Sequence, residues 1–420
     1  MNVIRLRPVV FWRVVVFLTV CGLFRFVLYS PKTSQDDTLL SIENLGLDVS
    51  YGVEPYPTCT VERRNVVFIK NHKCGSDTAT NVFHRFGLDR GLSFVLAVPG
   101  RMTLNWPYVI EPGTYRASKA DGGGFNIMCE HQIYNERIIS AIMPFNSEYT
   151  TILREPFSRF KSAFNFFGLE WRADIHNTKP MLTYLEDIPR YEIHIRSPSN
   201  TQSKKSCMGP GWTAGQNGMS LDLGFDNGFQ LDVLDQTNNV TYIRQWLQKL
   251  QKRFGLVMIM EHFEESLVLL RRLMCWRLQD VLYLVRNVGH YNFKTLQLDT
   301  IDPKLMDNYR RFNQVDIVLY DLFNKTLWRR IELEGPGYAD ELRQFKGVME
   351  KVRAFCYTVP PPSNDTQMVI PKSDWNEAFP VTGFYCLRMA NRLYNDITYI
   401  YQKNPKKVRM SRQWDKVPGC

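Results

Sequence analysis

Between Asn65 and Thr80 the chain reads NVVFIKNHKCGSDTAT. A short β-branched and aromatic run enters a turn carrying Lys70, His72, Lys73, Gly75, Ser76 and Thr78, and a helical pattern follows from about Asp77 to Phe86. A strand that passes through such a turn into a helix is the unit from which parallel sheets are built, because a parallel neighbour needs a crossover connection. Backbone N–H groups at the helix start, hydroxyls from Ser76 and Thr78, and a glycine that permits close approach suit an anionic diester or anhydride. Lys73 would place a point charge on the bridging oxygen of that anion. Both lysines precede the glycine, so the GxxxxGK[ST] pattern of triphosphate-binding loops is absent. Taken alone, the stretch also reads as a capped helix after a surface turn.

The same strand-to-helix unit recurs. YTTIL (Tyr149 to Leu153) precedes PFSRFKSAFNFF (Pro156 to Phe167), where Phe157, Phe160, Phe164 and Phe167 repeat at helical spacing and Pro156 suits a first helical position. LVMIM (Leu256 to Met260) lies between two amphipathic helical patterns, Val240 to Phe254 and Glu264 to Met274. The pattern stays mainly helical from Pro303 to Cys356, until VPPPSNDT breaks it. These alternations predict an α/β fold with a central parallel sheet flanked by helices and ligands at the strands' carboxyl ends. Arg154 at a strand end and Ser162 eight residues later can converge on one phosphate, the arginine with bidentate geometry. Two anion sites on separate units point to a nucleotide phosphorylated at two places, and away from ATP.

The 420 residues and 44% hydrophobic content suffice for a large core. The net charge of +10 is carried at the ends. Residues 1–30 hold Arg5, Arg7, Arg13 and Arg25 without an acid, and Lys403 to Lys416 holds six basic residues against Asp415. A near-neutral body with basic ends argues against a nucleic-acid surface. Val9 to Tyr29 is apolar apart from Arg13, Arg25 and a few small or polar residues, and is long enough to cross the roughly 30 Å hydrocarbon core. With basic residues before it and no small-residue cleavage site closing it, the segment reads as an uncleaved signal anchor. A cleaved signal peptide and a buried core helix are the alternatives. The expected organisation is a cytoplasmic tail over residues 1–8, a transmembrane anchor over 9–29, a luminal stem over 30–60, a catalytic domain over 61–400 and a basic tail over 401–420. A luminal body fits eight cysteines beyond the anchor, whose pairing sequence does not reveal, and three glycosylation sequons at Asn239, Asn324 and Asn364.

Five stretches together resemble one family. FIKNHKCGSDT, FNIMCEH, LREPFSRFKSAFNFF, DLGFDN and EHFEESLVLLRRLMCWRLQDVLY follow in the same order as FIKTHKTASST, FNIICNH, LRDPxxxFxSSFxYF, DLGYDN and EYFDESLVLLxxLLCWxLxDVLY of the galactose 3-O-sulfotransferases. That family of Golgi enzymes includes galactosylceramide sulfotransferase and uses 3′-phosphoadenylyl sulfate (PAPS). The likeness spans about Asn65 to Tyr320. Cys74-Gly75 stands where the family has Thr-Ala, and Asp77 where a hydroxyl is common, so the loop has fewer hydroxyls.

The resemblance implies a P-loop-like sulfotransferase fold on a single-pass type II Golgi membrane protein. It also implies transfer of a sulfuryl group from PAPS to the 3-hydroxyl of a terminal β-galactose on a glycolipid or glycoprotein. No Cys/His cluster has ligand spacing, so nothing in the sequence requires a metal. Lys70, Lys73, Gly75, Ser76 and Thr78 would hold the 5′ end of the donor, with Lys73 stabilising the leaving group, and Arg154 and Ser162 would hold its 3′-phosphate. The base is His131, favoured by likeness to related uronyl and glucosaminyl sulfotransferases, or His72, whose protonation Lys73 would disfavour. DLGFDNG either lines the acceptor site or forms a turn, and Glu264 and Glu265 read as helix-dipole partners. Trp171, Trp212 and Trp276 are of a type that stacks on sugar faces, and Trp276, in an apolar helical pattern, reads as core. A glycosaminoglycan O-sulfotransferase and a catalytically silent glycan-binding relative are the competing readings.

Overall fold

The computed structural model describes residues 39–101, 103–116, 124–197, 199–200, 202, 212–228, 234–285, 301–358 and 361–402. The expected cytoplasmic tail, membrane anchor, Cys207, Cys420 and the basic run from Lys403 lie outside these residues. Among the described residues no helix is long and apolar enough to cross a membrane.

Four parallel strands form the central sheet: β1 (Val66–Ile69), β2 (Ile127–Met128), β3 (Glu148–Leu153) and β4 (Leu256–Ile259), in the order β2-β1-β3-β4. All four side chains of β1 are fully buried, which explains why its sequence is an unbroken apolar run rather than an alternation. Phe68 pairs with Thr150 of β3, and Thr151 of β3 pairs with Val257 of β4, so the carboxyl ends of β1, β3 and β4 emerge side by side. The three strands expected from sequence are present. The two-residue β2, within FNIMCEH, is too short to give a period that sequence could reveal.

The helices follow in order: α1 (Ser76–Asp89), α2 (Glu136–Ile142), α3 (Pro156–Phe166), α4 (Leu169–Arg172), α5 (Pro180–Glu186), α6 (Ile188–Arg196), α7 (Gly218–Asp222), α8 (Val240–Arg253), α9 (Phe263–Met274), α10 (Pro303–Phe312), α11 (Gln314–Leu333), α12 (Pro336–Cys356), α13 (Gly383–Ala390) and α14 (Tyr394–Gln402). A small antiparallel hairpin, β5 (Gln367–Ile370) with β6 (Phe379–Thr382), lies between α12 and α13. Side chains from the sheet, α1, α8, α9, α11 and α12 make the main core. A second cluster joins Phe157, Phe160 and Phe164 of α3 to Tyr184, Ile188, Trp212 and Tyr309. It fixes the helix that follows β3, and with it the orientation of that helix's polar face.

Residues 40–58 pack on the body near α8 and α11. Ile42 and Leu45 are buried there, the Gln251 amide donates to the Asp48 carbonyl at 2.8 Å, and the Tyr56 hydroxyl donates to the Gly255 carbonyl at 2.8 Å. Two disulfides, Cys59–Cys275 and Cys356–Cys386, tie this segment to the end of α9 and α12 to α13. Cys74 and Cys129 are buried free thiols.

Candidate active site

Beyond Ile69 the chain turns through Lys70, Asn71, His72, Lys73 and Cys74 before α1 begins. Lys73 and Gly75 both take left-handed backbone conformations, φ 66° and 69°. For lysine this region is sparsely populated, and such strain gathers where surrounding structure holds a loop for function. A Cβ on Gly75 would also come 3.3 Å from the Met260 sulfur. Gly75 is the N-cap of α1 and supplies no side-chain cap; its carbonyl accepts from the Thr78 N–H at 3.1 Å. The Ser76 hydroxyl donates to the Asn71 carbonyl at 2.7 Å, stapling the loop, and Thr78 is buried on the same first turn. Lys70 is buried against two acids, its Nζ 2.8 Å from Asp77 and 4.0 Å from Glu130.

The two candidate base histidines meet. His72 and His131 stack with ring centroids 3.7 Å apart and planes at 15°, and Trp106 lies on His72 at 3.9 Å. His131 comes from the segment after β2, the parallel neighbour of β1, which explains how residues 59 apart in sequence share one stack. Its Nδ1 is 2.9 Å from the Lys70 carbonyl, and a carbonyl only accepts, so Nδ1 carries the hydrogen and Nε2 the lone pair. His72 Nδ1 is 2.9 Å from Asp222 Oδ2, with the same consequence for its Nε2. Burial, and then the neighbouring His72 and Lys70, hold the His131 pKa well below the ordinary histidine value.

Asp222 organises this pair. It accepts from the His72 backbone N–H at 2.8 Å and, through its other oxygen, from the Trp106 indole at 2.7 Å. Asp222 ends α7, a five-residue helix too short to hold itself. Asp316 on α11 holds it by accepting from the Met219 and Ser220 N–H groups at 3.1 and 2.8 Å and from the Ser220 hydroxyl at 2.6 Å. Gly224 completes the turn at φ 76°, where a Cβ would lie 2.2 Å from the Tyr134 carbonyl.

The loop meets the β3 unit through arginines. Arg154 donates to the Lys73 carbonyl at 3.1 Å. Buried Arg159 donates to the His72 carbonyl at 3.4 Å and the Ala214 carbonyl at 2.7 Å. Glu155 caps α3 with both carboxylate oxygens, on the N–H groups of Phe157 and Ser158. Ser162 is the seventh residue of α3 and half-buried. The Lys73 ammonium sits 3.8 Å over the Phe166 ring. Burial, with smaller contributions from Arg154 and Arg159, holds its pKa below the ordinary lysine value against the opposing charge of Asp77.

The loop, His131 and Arg154 thus lie together at the sheet's carboxyl edge. Trp106 carries no sequence signal; Arg159 lies within LREPFSRFKSAFNFF without a role assigned from sequence, and Asp222 lies in DLGFDNG, which reads either as an acceptor-site segment or as a turn. Trp212 and Trp276 are core, whereas Trp171 is 45% exposed. Glu264 accepts from Arg353 at 2.8 Å and Glu265 from Lys346 at 2.7 Å, so both acids are engaged by basic side chains. Of the sequon asparagines, Asn239 caps α8, Asn364 lies in an exposed turn, and Asn324 is within α11 with Oδ1 buried. Among the described residues one group, His84, Cys129 and Glu130, has metal-ligating atoms within 4.8 Å of one another. Glu130 is engaged there by His84 at 2.9 Å and faces Lys70.

Residues 8–371 match the model of the galactose-3-O-sulfotransferase family. Galactose-3-O-sulfotransferase 2 of Sus scrofa is 31% identical over 309 residues, covering 72% of this chain and 71% of the relative. Galactosylceramide sulfotransferase of Homo sapiens is 30% identical over 300 residues, covering 70% of this chain and 64% of the relative. Galactose-3-O-sulfotransferase 4 of Homo sapiens is 27% identical over 332 residues, covering 67% of each. With its sheet-edge loop, its stacked histidines and this match along most of its length, the chain belongs to the galactose-3-O-sulfotransferase family.

Proposed function

We propose that the protein transfers a sulfuryl group from PAPS to the 3-hydroxyl of a terminal β-galactose carried on a glycolipid or glycoprotein. The observation that carries this reading is the His72–His131 stack, backed by Asp222, beside Lys73 in a strand-to-helix loop. In the proposed step a histidine Nε2 takes the proton of the galactose hydroxyl as its oxygen bonds to sulfur. The bond from sulfur to the bridging oxygen of the 5′-phosphate breaks, and adenosine 3′,5′-bisphosphate leaves. Lys73 offsets the charge gained by that oxygen. Arg154 and Ser162 are assigned to the 3′-phosphate, and the Gly75-capped helix start with Ser76 and Thr78 to the 5′ end, in a P-loop-like arrangement.

The geometry favours His72 over His131 as the base. A carboxylate on Nδ1 stabilises the imidazolium that proton transfer creates, whereas a carbonyl dipole does so less. His131, disfavoured from protonation, would keep the stack to a single proton and hold His72 in place.

The same reading puts the body in the Golgi lumen behind the apolar segment 9–29, as a single-pass type II protein. The two disulfides support an oxidising compartment. Full-length protein in detergent, offered PAPS with galactosylceramide, lactosylceramide, N-acetyllactosamine and desulfated heparan, tests the acceptor class. Sulfation of galactosides supports the proposal, and sulfation of heparan alone moves the protein to glycosaminoglycan chemistry.

A further inference from the structure

Two acids of this chain converge on one lysine: Asp77, on the first turn of α1, and Glu130, in the segment after β2. They are far apart in sequence, yet both fall on Lys70, at 2.8 and 4.0 Å from its Nζ. The two are held differently. Glu130 is 1% exposed and engaged by His84 at 2.9 Å, whereas the Asp77 side chain is 41% exposed on the first turn of α1. Lys70 itself is 2% exposed, so its charge is satisfied internally. Asp77 therefore presents a carboxylate at the helix start where the 5′ end of the donor is assigned, and where any anion favoured by the helix dipole competes with it.

We propose that Asp77 is an internal counter-anion of Lys70 that the donor's 5′-phosphosulfate displaces on binding, so that this residue sets the donor affinity of the chain. The inference rests on the PAPS reading above. Exchange is possible because Asp77 has solvent to rotate into. Glu130 stays behind and keeps Lys70 from being left as an uncompensated buried charge. The exchange weakens donor binding twice, since the Lys70–Asp77 pair must be given up and a carboxylate remains near the incoming phosphate.

Calorimetric titration of the full-length protein with adenosine 3′,5′-bisphosphate tests this. Asp77→Ser and Asp77→Asn are expected to bind it about tenfold more tightly than wild type, a repulsion-sized effect for like charges near contact. In a Lys70→Met background the gain from Asp77→Ser should shrink, because the two residues are coupled. Equal or weaker binding by Asp77→Ser overturns the inference, as does a gain of the same size in both backgrounds. Asp77 is exposed enough for its substitution to fold, so the sign of that single change decides even where Lys70→Met does not fold. A wild type that does not bind the bisphosphate removes the PAPS reading and this inference with it, whereas wild-type binding that Asp77→Ser leaves unchanged removes the inference alone.

Discussion

The rings of His72 and His131 lie face to face at 3.7 Å, each with Nδ1 fixed to an acceptor and Nε2 as its unprotonated edge. Burial, and then the neighbouring His72 and Lys70, disfavour protonation of His131. Of the two rings, His72 is the one whose Nδ1 meets a carboxylate, that of Asp222. That relationship brings the β1 loop, the segment after β2 and α7 to one junction, where the proposed base would act.

Substitution at this junction should separate chemistry from donor binding. His72→Ala is expected to lower kcat by about 10²–10⁴-fold, the usual contribution of a positioned base. Asp222→Asn should also lower kcat, because the amide can no longer stabilise an imidazolium. Titration with adenosine 3′,5′-bisphosphate should find both variants near wild-type affinity. A parallel loss of affinity would mean that the loop, rather than the base, had been damaged.

Lys73 is predicted to act on the leaving group. Lys73→Met should reduce kcat by about 10²–10³-fold, comparable to removal of one electrostatic stabiliser of a developing charge. Its effect on acceptor KM should be small. Initial-rate kinetics with the acceptor varied at saturating PAPS would distinguish this from a role in acceptor binding, which would raise KM instead.

The depressed pKa of His131 carries a stability consequence with a definite sign. The folded state binds the His131 proton less readily than the unfolded chain, where the ordinary value of 6.5 applies. Unfolding therefore takes up a proton below that pH, and this stabilising contribution is present above pH 6.5 and lost as pH falls further. Urea unfolding at pH 7.5 and pH 5 should give a larger difference for wild type than for His131→Gln. Equal differences would show that His131 titrates freely in the folded protein.

Residues 40–54 contribute to the body, since Ile42, Leu45, Leu47 and Val53 are buried. A protein beginning at Pro55 would expose the surfaces they cover. At about 1.5–3 kcal/mol per buried aliphatic side chain, the loss amounts to several kcal/mol, reduced by the entropy of the segment released. Thermal unfolding should show a lower midpoint for that form than for one beginning at Ser34, and equal midpoints would contradict the packing.

Much of the sheet was legible because its strands are fully buried and flank long periodic helices: VVFI, YTTIL and LVMI could hardly be anything but interior β structure. Of the site, the loop, Arg154 and both histidines were legible from residue type at a strand end. Asp222 was not, because its role depends on a long-range delivery of α7 by Asp316, 94 residues away, that leaves no local pattern. Trp106 lies in irregular chain where no period exists to read. The ion pairs of Lys70 escaped for a similar reason. Asp77 was visible as a missing hydroxyl, but Glu130 acquires meaning only once β2 pairs with β1 and brings the two loops together.

The measurement that tests the central claim most directly is the position of sulfate on the product. Full-length protein, sulfur-labelled PAPS and galactosylceramide or N-acetyllactosamine should yield galactose labelled at O3, with product formation lost in His72→Ala while bisphosphate binding persists. Label at another hydroxyl, or undiminished transfer by His72→Ala, would contradict the account.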